Sequence, residues 1–527
     1  MSTQNNEVYA VPKPQPGVNA QAVKTRYSFL APNRCVFTIL IVFIFCLGFG
    51  IRLYDFFDAP LDFHPTRQTH SAIIARGIYY QYRTDVPEWQ REFAISQWKS
   101  EPHPEPQFLE TLTAFTYRLT GGERLWIPRL YSILFWMAGG AALFMIVKEL
   151  AGRDGALVSL VFYLFLPYSA IASRSFQPDP LMVSLLLFTI WAVLRWQKNP
   201  TWRNTLLAGL LGGMAIYIKA VAAFWVAGAW IGVLIAGYHW TTILKNRKVW
   251  AAAILSLLPF TIYFIKGMYI DGFLQSEMGL RFFPQLWKDP VFYLQWISEL
   301  SSVVSLEWFL VALVCVLLIQ NQYHRGLMTG LWVGYLLYGM IFAYHISTHD
   351  YYQLPLVPIV AIGLGIGAQH LFNHLDGRRF LQVALVGAVI LSFTVLKAWD
   401  VRVELKRKDY SNEIAFWQTL GERLGQDVSV VGLLQDSGAR LSYWGWVDAA
   451  DWMTSGDFSL RELGGQSVDM QKYFDKITEG RDYFVVTYLS EFESQPKLAE
   501  MLSRYTLLEQ TDDYLIYDLR NPLPGSE

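Results

Sequence analysis

The chain has 527 residues, 53% of them hydrophobic and only 17% charged, with a formal net charge of −1. A soluble protein carries about a quarter charged residues, so the composition argues against an ordinary soluble enzyme, and the neutral balance leaves no basic face for nucleic acid. Cys35, Cys46 and Cys315 all fall in or beside apolar runs, which implies no disulfide framework.

Residues 1–33 are polar, contain VPKPQPG, and read as a disordered cytoplasmic tail. No small-residue cleavage site follows the first apolar run, which therefore reads as a retained anchor. From Val36 to Trp399, long apolar runs alternate with short polar connections. A helix of roughly 17 to 25 apolar residues crosses a bilayer. The qualifying runs are 34–53, 126–147, 155–173, 180–197, 204–219, 220–237, 249–267, 303–320, 327–345, 355–372 and 380–399, about eleven in all. The fifth and sixth are short enough to form a tight hairpin.

Lys and Arg concentrate on the cytoplasmic side of membrane proteins. With the N-terminus inside, Lys148, Arg153, Arg195, Lys198, Arg203, Lys245, Arg247, Lys248, Arg325, Arg378 and Arg379 all fall in inside connections. The short outside connections hold Arg174 and Lys219 and little else. An odd number of spans puts the C-terminus outside, and losing either short span would invert everything after it. The expected setting is a bacterial inner membrane.

The first outside loop, 54–125, is longer than a connection requires, which points to function. Thr66–Tyr82 and Phe108–Leu119 carry apolar stripes at helical spacing and read as helices lying in the membrane interface. The outside segment 268–302, with Asp271, Glu277, Arg281 and Lys288, also reads as hugging the membrane. Residues 34–400 thus form a transmembrane unit and 401–527 an extracytoplasmic domain. In that domain, helix patterns at Asn412–Leu424, Val468–Ile477 and Pro496–Arg504 alternate with strand patterns at Val428–Leu434, Leu441–Trp446, Tyr483–Tyr488 and Tyr514–Leu519. Such alternation predicts a small α/β sandwich. It lacks a glycine-rich phosphate fingerprint, so no nucleotide site is expected.

Charged groups near membrane depth are expensive and mark function. Four clusters lie on the outside face. The first is Arg52, Asp55, Asp58, Asp62, His64, Arg67, Gln68 and His70, where a carboxylate just outside a span has the chemistry of a general base. The second is Arg174 with Asp179, which also suits a helix-capping carboxylate. The third is Lys219, a point charge suited to a lipid-linked phosphate or to snorkelling. The fourth is His345, His349, Asp350 and Tyr351 at the start of a span. Glu105, flanked by prolines, is a carboxylate that can be aimed rigidly, or a solvated helix-start residue. The spacing of His64, His70, His345 and His349 fits no metal-ligand pattern, so a divalent metal is not indicated.

In this order, HPTRQTHSAIIAR, EPQFLETL, WIPRLYSILF, RSFQPDPLM, IYIKA and HDYYQLPLVP resemble segments of the GT-C superfamily of membrane glycosyltransferases. The similar branch holds the dolichyl-phosphate-mannose protein mannosyltransferases and the bacterial lipid A aminoarabinose transferase. The resemblance covers roughly residues 45–370. It implies inverting transfer of a sugar from a polyprenyl-phosphate donor to a glycan, lipid or protein acceptor outside the cytoplasm, among membrane lipids and without a cofactor. It further implies a first-loop acidic base, best matched by Asp62 with Asp55 as the fallback, and donor-phosphate contacts from Arg67, Lys219 and Arg174. The chain departs from the family's Asp-Glu doublet, having Asp62-Phe63, and its Leu-Thr-Lys-Gly signature is reduced to Tyr-Ile-Lys-Ala.

Two other classes compete. A multi-pass transporter or flippase predicts repeated halves and ionisable groups at the midplane, whereas these groups cluster at one face. A membrane anchor for the α/β domain leaves the first-loop cluster without a purpose.

Overall fold

The computed structural model describes residues 29–30, 33–102, 104–275, 281–375 and 380–523. Most of the expected tail, together with Glu277, Arg378 and Arg379, lies outside the described residues. The end of the tail is not loose: the Phe29 and Leu30 amides donate to Asp154 at 2.8 and 3.0 Å, and Phe29 stacks on Phe372.

Every expected span falls on helix. Among the described residues, seven helices are long and apolar enough to cross a membrane: Arg34–Arg52, Trp126–Leu150, Asp179–Lys198, Ala220–Gly237, Arg247–Ile270, Leu356–His374 and Phe380–Arg407. The other expected spans meet helices that are shorter, broken or less apolar. The run 155–173 is split at Pro167 into Arg153–Phe165 and Pro167–Ala172, because proline lacks the amide that would continue the ladder. The run 303–320 begins at a corner: Pro290–Val304 and Leu306–Leu318 meet at 87°, hinged on Ser305 with φ 60°. The expected tight hairpin is two helices, Trp202–Ile218 and Ala223–Gly237, interrupted at Lys219. The first packs between Asp179–Lys198 and Arg247–Ile265, and the second lies along Gln322–Ile341.

That last pairing depends on glycine. A Cβ on Gly228 would sit 2.2 Å from the Gly330 carbonyl oxygen, and one on Gly330 would sit 2.0 Å from that of Gly228. Small residues let membrane helices approach this closely. Gly228→Leu is therefore expected to lower the thermal midpoint of the detergent-solubilised protein, the overpacking costing about 1–3 kcal/mol. An unchanged midpoint would mean that the helices separate freely.

The described residues of the C-terminal region carry five strands: β1 Val430–Leu433, β2 Ala449–Asp451, β3 Tyr483–Val486, β4 Tyr505–Gln510 and β5 Leu515–Pro522. They form one mixed sheet in the order β2-β1-β3-β5-β4. β1 is parallel to β2 and β3, while β5 is antiparallel to β3 and β4. Side chains alternate across a strand, and the core divides accordingly. Val430 and Val485 join Trp417, Leu420 and the first loop, whereas Val431, Leu433, Phe484 and Val486 face Trp452, Phe474 and Leu498. The expected strand Leu441–Trp446 is instead a wide, π-type helical turn over Leu441–Gly445. Its side chains from Leu441 to Trp444 are all buried, which no two-sided strand pattern describes, and its backbone presses on Gly421 of the helix Glu413–Leu424.

The first loop forms three helices, Pro65–Tyr80, Glu88–Ser100 and Phe108–Thr120. Only the last matches the expectation of an interfacial helix, with Phe108, Phe115 and Leu119 exposed. Pro65–Tyr80 is buried along most of its length, because its Ile73, Ile74 and Ile78 share one core with Trp417, Leu420 and Tyr443. Arg76 lies 3.7 Å from the Tyr443 ring centroid and 4.4 Å from that of Trp446, and its Nε pairs with Glu123 at 2.9 Å. The first loop and the C-terminal region therefore pack against each other.

Candidate functional site

A cavity of about 530 Å³ opens where the first loop, the segment 344–352 and the C-terminal region meet. Arg67, His70, Glu105, Arg281, His345, His349 and Tyr351, all named from the sequence, line it. Pro65–Tyr80 starts with proline at its first turn, a favoured place for it, and that start projects Arg67 toward the wall. Arg67 Nη2 pairs with Glu105 Oε1 at 3.0 Å, and its guanidinium lies 5.5 Å from the Tyr351 ring centroid. Burial pushes the Glu105 carboxyl upward, but the charges of Arg67, Lys219 and Arg281 outweigh it and hold Glu105 below its usual range. It is an ionised carboxylate at neutral pH. Burial depresses His349 to about 4, so it meets a ligand as a neutral hydrogen-bonding ring.

Behind the cavity lies a second pair. Lys219 Nζ reaches both oxygens of Asp179, at 2.8 and 3.0 Å, with both side chains buried. Lys219 terminates one helix and Asp179 begins another. The Lys219 ammonium lies 5.2 Å from the Tyr351 ring centroid and 5.5 Å from that of Tyr352, so its field reaches the cavity through two aromatic faces. It is not a snorkelling residue. His64 Nε2 pairs with Asp350 Oδ1 at 2.6 Å, which anchors the segment carrying Tyr351 to the first loop.

Asp62, Asp55, Gln68 and Arg174 sit outside the cavity lining. Asp62 is 5% exposed and lies between two buried guanidiniums, Arg129 at 3.1 Å and Arg174 at 3.2 Å. Those arginines also bind backbone: Arg129 donates to the carbonyls of Asp55, Phe56 and Ala59, and Arg174 to those of Tyr54 and Asp55. Asp55 takes part through its carbonyl while the residue itself is exposed. Gln68 donates to the Phe63 carbonyl at 2.7 Å and accepts from the Phe176 amide at 2.9 Å. This cluster fastens the first loop to residues 173–177.

The four histidines have separate neighbours. His64 pairs with Asp350 and His70 with Glu101, while His345 and His349 lie ring to ring at 6.2 Å. Among the described residues, no group of three or more His, Cys, Asp or Glu is placed to hold a metal ion.

Three residues that matter here carry little signal in the sequence. Arg129 is hidden in the first turn of an apolar span, and Arg281 is one charge among several in a polar segment. Glu110 lines the cavity, accepts from Ser71 Oγ at 2.8 Å, and is pushed up by burial to about 7. Its one signal is that a carboxylate stands near the apolar stripe of an amphipathic helix. Between pH 4.5 and 7 the folded state binds this proton while the unfolded chain releases it, so stability falls as pH rises through that window. Glu110→Gln is expected to remove that fall, whose slope is roughly 1.4 kcal/mol for each step of one in pH. Thermal melts at pH 5 and pH 8 check this; parallel pH dependence in both proteins would refute it.

Residues 104–264 match the family described as dolichyl-phosphate-mannose-protein mannosyltransferase. No curated protein sequence matches the chain. Among solved structures, ArnT from Cupriavidus metallidurans bound to undecaprenyl phosphate superposes with a TM-score of 0.57 at 13% identity, covering 92% of this chain and 99% of that one. The oligosaccharyltransferase AglB from Archaeoglobus fulgidus, in complex with an inhibitory peptide and a dolichol-phosphate, gives 0.51 at 9% identity, covering 93% of this chain and 75% of that one. The order of the motifs, the matched segment and the shared architecture agree: the chain is a polytopic membrane protein with the GT-C fold.

Proposed function

We propose that the chain transfers a sugar, with inversion, from a polyprenyl-phosphate donor to an acceptor on the outer face of a bacterial inner membrane. The observation that carries this reading is the cavity beside the membrane helices. Two arginines and an ionised carboxylate line it, and a buried lysine backs it through Tyr351 and Tyr352. Support also comes from the similar proteins, whose structures hold undecaprenyl phosphate and dolichol-phosphate.

A phosphate leaving group needs fixed cations where its charge develops. Arg67 and Arg281 supply them, and Lys219 adds its field from behind. An arriving phosphate replaces Glu105 as counter-ion to Arg67 and frees that carboxylate. The acceptor hydroxyl then attacks the anomeric carbon from the face opposite the phosphate. Its proton passes to Glu105, the bond from carbon to phosphate oxygen breaks, and polyprenyl phosphate departs. In this scheme the base is Glu105, and Asp62 and Asp55 hold the loop that presents it.

Titrating undecaprenyl phosphate into the purified chain in nanodiscs tests the phosphate site. Arg67→Ala is expected to weaken binding at least about tenfold, in line with losing one partner of a buried charge pair. Equal affinity in the two proteins, or no binding by the parent, would overturn the reading.

A further inference from the structure

The cavity has a wall that the sugar-transfer scheme leaves unused. Thr454, Gly456, Asp457 and Leu460, from the C-terminal region, line it opposite the first loop. The sheet topology explains why they are there. In a parallel sheet, ligands bind beyond the carboxyl ends of the strands, where strand order reverses. β1 lies between β2 and β3, both parallel to it, so the loop after β1 leaves at such a reversal. That loop holds Asp436 and Ser437 at φ 52° and 53°, a conformation non-glycine residues adopt at a cost and often at working sites. Asp436 accepts from Thr66 Oγ1 at 2.8 Å, one residue before Arg67. β2 runs directly into the helix Ser455–Leu463 that supplies the wall.

The start of this helix is closed to ligands by its own capping box, in which Thr454 and Asp457 bond each other's backbone amides. What it offers is surface. A Cβ built on Gly456 meets only Thr454 Oγ1, at 3.6 Å, an ordinary van der Waals contact, so a methyl group there displaces no protein atom. The same cavity carries Gln107 and Glu110 for hydroxyl groups, and Tyr344 and Tyr352 as aromatic faces. Together these suit a hydroxyl-rich acceptor, that is, a glycan.

Resting on the sugar-transfer reading above, we propose that the segment Thr454–Leu460 forms the acceptor wall of the cavity, and that Gly456 sets how large a glycan acceptor fits. The donor phosphate binds at the Arg67 side; the acceptor lies against the C-terminal region.

The test is a size series, Gly456→Ala, Gly456→Val and Gly456→Trp, in the full chain in nanodiscs. Two measurements are made on each. One is affinity for undecaprenyl phosphate, which also reports that the variant is folded. The other is transfer of radiolabel from a labelled polyprenyl-linked sugar extract to a solubilised cell-envelope glycan fraction. The expected result is affinity within about twofold throughout, with transfer falling in order of size and at least tenfold lower for Trp. Transfer by the Trp variant equal to the parent would overturn the proposal, as would label recovered in protease-sensitive material. Loss of undecaprenyl phosphate affinity in step with size would also overturn it, by placing Gly456 on the donor side. If the parent itself binds no undecaprenyl phosphate, the sugar-transfer reading falls first and the wall with it.

Discussion

Glu105→Gln is expected to bind undecaprenyl phosphate about as well as the parent and to lose at least about 100-fold of its sugar transfer. A positioned base contributes about 10²–10⁴-fold, and glutamine keeps the shape and the contact to Arg67 while removing the basic oxygen. Because Arg67, Lys219 and Arg281 overcome burial and hold this carboxyl below its usual range, it stays ionised throughout the neutral region. The kcat/KM of the parent, which reports the enzyme before donor binds, should therefore show no loss from Glu105 protonation between about pH 6 and 8, and should decline only in acid. A Glu105→Gln protein that retains a tenth or more of parental transfer would remove Glu105 from the chemistry. Substituting alanine would be less informative, since it leaves Arg67 without its partner.

Asp62→Asn is expected to act on folding instead. The substitution leaves Arg129 and Arg174, both 1% exposed, facing each other without their shared carboxylate. Removing one partner of a buried ion pair costs about 3–5 kcal/mol. Burial already depresses Arg174 to about 10, so the cluster holds its charges at a cost even with Asp62 in place. The measurable outcome is a drop in folded yield and thermal midpoint, with whatever folds still binding undecaprenyl phosphate. An Asp62→Asn protein of parental stability with abolished transfer would return the base role to Asp62. The two substitutions thus separate the carboxylate that the sequence favours from the one that faces the cavity.

Much of the candidate site is legible from the residues alone. His349, Arg67, Glu105 and Tyr351 are polar residues beside apolar runs, and that contrast is visible in one dimension. Lys219 stands out for the same reason, stranded between two spans. What the contrast does not reveal is pairing. Asp179 lies 40 residues from Lys219, and Asp62 lies 67 from Arg129 and farther still from Arg174, separations over which no local pattern runs. Asp62 reads as exposed and reactive because it follows a span in a polar loop; the fold turns it into a buried counter-ion. The strand expected at Leu441–Trp446 failed for a related reason, since contact with Gly421 and Arg76 decides its shape more than its own apolar content does.

Membership of the membrane, the approximate run of the helices and the face that carries the ionisable groups can all be read from the order of residues. They follow from hydropathy, length and charge, each summed over neighbours along the chain. Which carboxylate faces a cavity, which cations are neutralised, and that a helix of the C-terminal region lines one wall emerged with the folded chain. Access and charge compensation depend on distance in space, and the helices and sheet bring together residues far apart along the chain. Asp62 is accordingly a buried counter-ion, and Glu105, later in the same loop, is a carboxylate that lines the cavity.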